Sequence, residues 1–343
     1  KSMKIKRTKE IELFFNRCIH NIQNESKNQF LGMLISKETE RVIQKKMSKA
    51  GFIDFQGPQE SWPSLYISTQ EFKNRPYHKT INLGVIQSNE FTYKTESVNP
   101  NELFNYSSIQ YDPNKELNDS MRLVALDEEL DVTMLYQNDE VWMLDVPSEA
   151  ETIDPCAKKA FGNVLTFGLG IGYYPFMAML NLEVKSITVI EKSKSVIDLF
   201  NQYLKPQFSN HIPFNIIEGD AFDYWNEKTL NQYDSVFVDI WKSNDDGLVI
   251  IEKLCEKYLP DFDKVDFWIE TSCLEIIPTL IMLYFEALSR NKHYKVYDKT
   301  YQRIVRKIDS YFKGQDILVE DVNVLKDMMY DKKLHRLILS IKL

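Results

Sequence analysis

The chain has 343 residues, 43% hydrophobic and 27% charged, with a formal net charge of −8. This is globular composition with enough chain for a substantial core, which excludes disordered and collagen-like classes, and the length suggests two domains, 1–149 and 150–343. The acidic total argues against a dedicated nucleic-acid binder, but the charge is uneven: residues 1–50 carry a net +7 and residues 101–151 a net −11.

Residues 4–49 read as helical. Ile11, Phe14, Phe15, Cys18 and Ile22 fall on one stripe at helical spacing. Gly32 separates two helices and Gly51 stops the second. The basic charge reads as a solvated helix face or a surface that meets the acidic segment. From Phe52 to Asp145 short β-type runs alternate with turn signals at Gly57-Pro58, Asn99-Pro100 and Asp112-Pro113. Met121–Leu126, Val132–Tyr136 and Glu140–Leu144 are expected strands, the last two joined by a short hairpin, giving a small antiparallel sheet.

The stretch Ala160–Leu182 has no charged residue and is long enough to span a membrane. Gly168, Gly170, Gly172 and Pro175 interrupt it, so a buried strand, a glycine turn and a buried helix explain it better. Beyond it, strands are expected at Val164–Phe167, Ser186–Ile190, Phe214–Ile217, Ser235–Val238 and Val265–Ile269. Helices are expected from about Tyr173 and at Ser195–Leu204, Leu248–Tyr258, Leu274–Leu288, Gln302–Tyr311 and Val319–Met329, with a β-like Leu334–Ile341 at the end. The alternation predicts an α/β, Rossmann-like, doubly wound, mostly parallel sheet behind an N-terminal helical and small β extension.

Ligands of such a sheet bind beyond the carboxyl ends of its strands. Those ends carry Gly168, Gly170 and Gly172, then Glu191, then Asp220, then Asp239-Ile240-Trp241. Glycine is scarce here, 11 residues or about 3% against about 7% in ordinary proteins, yet four of the eleven lie between Gly162 and Gly172. Glycines permit a tight turn and let a ligand approach the backbone. Glu191 follows the last of them at the offset where an acid accepts from a ribose diol, and Asp220 is placed to meet an adenine amino group. The spacing is G-x-G-x-G rather than G-x-G-x-x-G, with bulky Tyr173 at the final position, which disfavours a dinucleotide.

Val164–Gly172 resembles the first motif of class I S-adenosylmethionine-dependent methyltransferases, and Glu191, Gly219-Asp220-Ala221 and Asp239 resemble the second, third and fourth. The resemblance covers roughly Ala150–Leu288. It implies S-adenosyl-L-methionine as cofactor, with Gly168, Leu169, Gly170 and Gly172 under the methionine part, Glu191 and Lys192 at the ribose, Asp220 and Ala221 at the adenine, and Asp239 and Ile240 facing sulfonium and substrate. Thr166 stands where many members carry an acid, and Trp142–Glu149 is similar to the stretch before the catalytic domain of spermidine synthases, which implies a spermidine synthase-like subgroup. The aminopropyltransferase hallmark after the fourth strand is absent: Lys242 stands where a second Asp belongs, and Asp245-Asp246-Gly247 lacks the prolines.

The function implied is methyl transfer to an unidentified, small-molecule acceptor, with Asp239 as base or substrate contact. An aminopropyltransferase and a non-catalytic cofactor-binding protein are the alternatives. Tyr174, Trp241 and Asp145 are expected in the substrate pocket, with packing roles as the competing reading for the two aromatics. Glu149 is expected beside Asp145 at the entrance or as a surface acid. His20, His78, His211, His293 and His335 fall outside the motifs and receive no catalytic role. The four cysteines form no C-x-x-C pair, so reduced thiols, no metal and a cytoplasmic setting are expected. A nucleic-acid acceptor is left open, no membrane contact is expected, and the N-terminal sheet could mediate a homodimer.

Overall fold

A computed structural model describes residues 2–343. Five parallel strands form its central sheet, in the spatial order Phe214–Glu218, Val184–Glu191, Gly162–Phe167, Ser235–Val238, Val265–Phe267. In sequence order this is 3-2-1-4-5, the doubly wound, Rossmann-like arrangement expected. The order reverses between Gly162–Phe167 and Ser235–Val238, where a crevice opens at the strands' carboxyl ends. The strands are β-branched and buried because helices cover both faces. Val164, Leu165, Phe167, Ile187 and Val189 are all inaccessible to water. The uncharged stretch is strand Gly162–Phe167, a glycine turn and helix Tyr173–Met179. Among the described residues no helix is long and apolar enough to cross a membrane.

Ahead of this sheet lie two small ones. One is antiparallel, from Phe91–Val98, Leu130–Gln137 and Glu140–Asp145. Its hairpin turns at Asn138 and Asp139, both with positive φ, as a two-residue connection requires. The other is mixed, from Tyr66–Ile67, Leu123–Leu126 and Phe104–Asn105. The β-type reading of residues 52–145 omits strand Phe91–Val98 and two short helices, Thr69–Lys73 and Pro76–Thr80. Pro76 at the first helical position is the signal that would have located the second.

Helix Lys9–Gln23 is capped by Thr8, whose hydroxyl accepts from Ile11 N, and it buries Ile11, Phe14, Phe15 and Cys18. Ile22 stays exposed, so the stripe ends one turn earlier than the spacing suggests. These buried residues join the core formed by the helices that follow the central sheet, and Lys4–Ile5 pairs in parallel with Leu318–Val319. The basic segment does meet the acidic one: Arg17 Nε donates to Glu116 at 3.0 Å, and Lys27 Nζ donates to the carbonyls of Asn118 and Asp119.

The C-terminal stretch expected as a strand is a helix, Lys332–Leu339. Asp331 caps it by accepting from Leu334 N, and Leu334, His335, Ile338 and Leu339 form its buried face. That spacing is helical, since a strand would turn Leu334 and Ile338 to the face opposite His335 and Leu339, and the cap marks where the helix starts.

Candidate functional site

The crevice at the switch point is a cavity of about 620 Å³. Its wall brings together the sequence-predicted Gly168, Leu169, Gly170, Glu191, Lys192, Asp220, Ala221, Asp239, Ile240, Tyr174, Trp241 and Asp145. Strand Glu140–Asp145 of the antiparallel sheet forms the opposite side, with Trp142, Met143 and Asp145.

The glycine turn is built for close approach. Gly170 has φ +52°, and a Cβ there would come within 3.0 Å of Met143 Cε, so its missing side chain keeps the space between turn and opposite strand open. Gly172 has a different reason. Its Cβ would fall 2.5 Å from Phe200 and 2.9 Å from Phe208, and it does not line the cavity. Gly172 is therefore a packing glycine under the turn, outside the cavity wall on which the other expected cofactor contacts lie.

Glu191 ends the second strand. Its Oε2 accepts from Leu169 N at 2.8 Å and its Oε1 from Ser193 N at 2.9 Å, tying the glycine turn to the neighbouring strand end. Each oxygen keeps a lone pair for a ligand hydroxyl. Asp220 caps the short helix Ala221–Tyr224. The Phe222 N–H at 2.9 Å, and then Lys192 Nζ at 3.2 Å, hold its carboxyl below the usual range. Lys192 thus reaches Asp220 rather than standing free.

Asp239 ends the fourth strand. Burial first, and the Glu191 charge second, push its carboxyl up to about 7. Glu149, from helix Pro147–Lys159, goes further, to about 8, through burial and then the charges of Asp239 and Asp145. Among the described residues no Lys or Arg pairs with Asp145, Glu149 or Asp239. Burial, and then neighbouring carboxylates, thus suppress the ionisation of Glu149 and Asp239. Glu149 is a lining residue, not the surface acid its sequence context allowed.

The aromatics pack as well as line. Tyr174 stacks on Phe237 with centroids 4.1 Å apart. Trp241 lies near Phe267, and its buried indole N–H has no partner. Thr166 is buried inside the strand. Asp245 and Asp246 sit in the first turn of helix Asn244–Lys257, where acids favour the positive end, and do not line the cavity.

One residue escaped the sequence reading. His78 Nε2 lies 2.6 Å from Asp145 Oδ1, although His78 belongs to the short helix Pro76–Thr80. The preceding Tyr77 is buried and donates its hydroxyl to Ile171 O at 2.7 Å. No local pattern marks either, because both act on elements far along the chain. The thiols are free, and among the described residues no acid, His and Cys group could hold a metal.

No family model matches the chain, and no curated protein matches it. Parts of it resemble solved structures. Spermidine synthase from Thermotoga maritima is 11% identical over 53% of this chain and 63% of its own, with a TM-score of 0.29. Human methyltransferase-like protein 13 in complex with SAH is 13% identical over 51% and 92%, at 0.26. PKMT2 from Rickettsia typhi in complex with AdoHcy is 16% identical over 55% and 36%, at 0.21. The chain spans less than two thirds of the length of several such structures. Likeness at this level assigns no activity.

Proposed function

We propose that the cavity binds S-adenosyl-L-methionine and that the protein is a methyltransferase acting on a small-molecule acceptor. One observation carries the reading: the glycine turn after the first central strand and the carboxylates ending the next three line a single cavity. The residues fit the group. Gly170 leaves room against the backbone, Glu191 and Asp220 can accept from ribose hydroxyls and an adenine amino group, and the carboxyls lacking a cation suit a sulfonium.

When bound, the cofactor supplies an activated methyl group on a cationic sulfur. The chain's part is to orient and to exclude water. Gly168 to Ile171 would lie against the cofactor's backbone-facing edge. Asp239, held near neutral pH in its titration, can take a proton from an acceptor or hold it by hydrogen bond. Tyr174 and Trp241 wall the acceptor side.

The aminopropyltransferase reading has one observation in its favour, the acidic lining, which would suit an amine. Lys242, which also lines the cavity, works against a cationic acceptor. Calorimetry with S-adenosylmethionine, S-adenosylhomocysteine and decarboxylated S-adenosylmethionine decides. Preference for the first two supports the methyltransferase, preference for the third supports aminopropyl transfer, and no heat with any rejects both.

A further inference from the structure

We propose that His78 is a positioning residue of this site: through Asp145 it sets how strongly the cavity prefers a cationic ligand over a neutral one of the same shape. The inference rests on the cavity being an S-adenosylmethionine site.

The geometry is specific. His78 Nε2 and Asp145 Oδ1 are 2.6 Å apart, and both side chains are nearly buried. An ionised carboxylate can only accept, so the proton of this bond sits on Nε2. The other ring nitrogen, Nδ1, is buried without a partner, which suits the Nε2–H tautomer, because an N–H at Nδ1 would find no acceptor. Phe72, with its centroid 4.1 Å away, and Tyr77 and Tyr173 hold the ring in place. His78 does not itself line the cavity, whereas Asp145 does. It therefore acts through Asp145.

The consequence follows from the neighbours of Asp145. Glu149 and Asp239 stand in the same cavity, and each negative charge there disfavours the next. A fixed donor holds the Asp145 carboxylate in place at the cavity wall against that repulsion. Removing the donor lets Asp145 turn away, and the cavity wall loses negative charge. A sulfonium ligand would register that loss, and a thioether of the same shape would not. Disturbance of the fold behaves differently. The short helix carrying His78 also holds the glycine turn through Tyr77 and Ile171 O, and slackening that contact would weaken both ligands alike.

The test is calorimetric titration of the full chain with S-adenosylmethionine and with S-adenosylhomocysteine. His78→Phe should lower the affinity for the sulfonium by about threefold or more, relative to the thioether. His78→Gln, which can still place an N–H on Asp145, should restore most of the preference. Asp145→Asn should lose it as His78→Phe does, and the double variant should lose no more than either. Tyr77→Phe should weaken both ligands equally. An unchanged preference in His78→Phe, or an equal loss of both ligands in it, overturns the role of His78 while leaving the cofactor site standing. No binding of either ligand by the unaltered protein overturns both.

Discussion

The backbone N–H of Leu169 and the carboxylate of Glu191 meet at 2.8 Å across the ends of two adjacent strands. Glu191 therefore shapes the glycine turn before any ligand arrives. Glu191→Ala should weaken S-adenosylhomocysteine binding by about 1.5–3 kcal/mol and speed amide hydrogen exchange at Leu169. Glu191→Gln, with one carbonyl acceptor left, should lose less. Unchanged affinity in the Ala variant would move the ribose contact to another strand end.

Gly170 combines φ +52° with the close approach of Met143. Gly170→Val should abolish cofactor binding and lower stability by about 1–3 kcal/mol from backbone strain, while far-ultraviolet circular dichroism keeps its shape. Normal affinity would show that no ligand nears this backbone.

Asp239 and Glu149 titrate at about 7 and about 8, both above their ordinary values. The folded state binds their protons more tightly than the unfolded state, so their contribution favours folding at low pH and is lost as pH rises through 7 and 8. Asp239→Asn and Glu149→Gln should each stabilise the protein by about 1–2 kcal/mol at about pH 9 and much less at about pH 5. Urea unfolding across that range measures it, and equal effects at both ends would place these carboxyls in contact with solvent.

A sulfonium favours the ionised forms of these same carboxyls. S-adenosylmethionine binding near pH 7 should release protons, and S-adenosylhomocysteine binding should release fewer. Calorimetry in buffers of different ionisation enthalpy counts them. Equal release with both ligands would place the sulfonium away from Asp239 and Glu149.

Lys307 is fully buried in helix Lys299–Lys313, pairs with Glu252 and Glu256, and donates to Leu339 O at 2.8 Å. Lys307→Met should cost about 1–3 kcal/mol, since Glu252 keeps Arg303 but its buried Oε2 and the Leu339 carbonyl lose their donor. Guanidinium unfolding would read this as a lower midpoint, with cofactor affinity unaltered because the network lies outside the cavity.

Much of the half that carries the central sheet was legible in the residues. Uncharged Ala160–Leu182, the β-branched runs and the acid at the end of each foretold the parallel sheet and its binding edge, because both are local periodicities read against one topological rule. The small helices before Phe91 were too short to show a period, so only Pro76 at the start of the second marked one of them, and Leu334–Ile341 read as β although Asp331 caps a helix there. Gly172 looked like its two neighbours, yet Phe200 and Phe208 account for it.

The sequence by itself determined which residues end the strands, and so which chemistry the binding edge carries: glycines, then Glu191, Asp220 and Asp239. Tertiary structure alone decided what faces that edge. Met143 reaches it from a strand folded over the crevice, and His78 is brought to Asp145, 67 residues away in the chain. Strand ends follow from local pattern. A bond across that separation follows only from how whole elements pack, and packing leaves no period in the sequence.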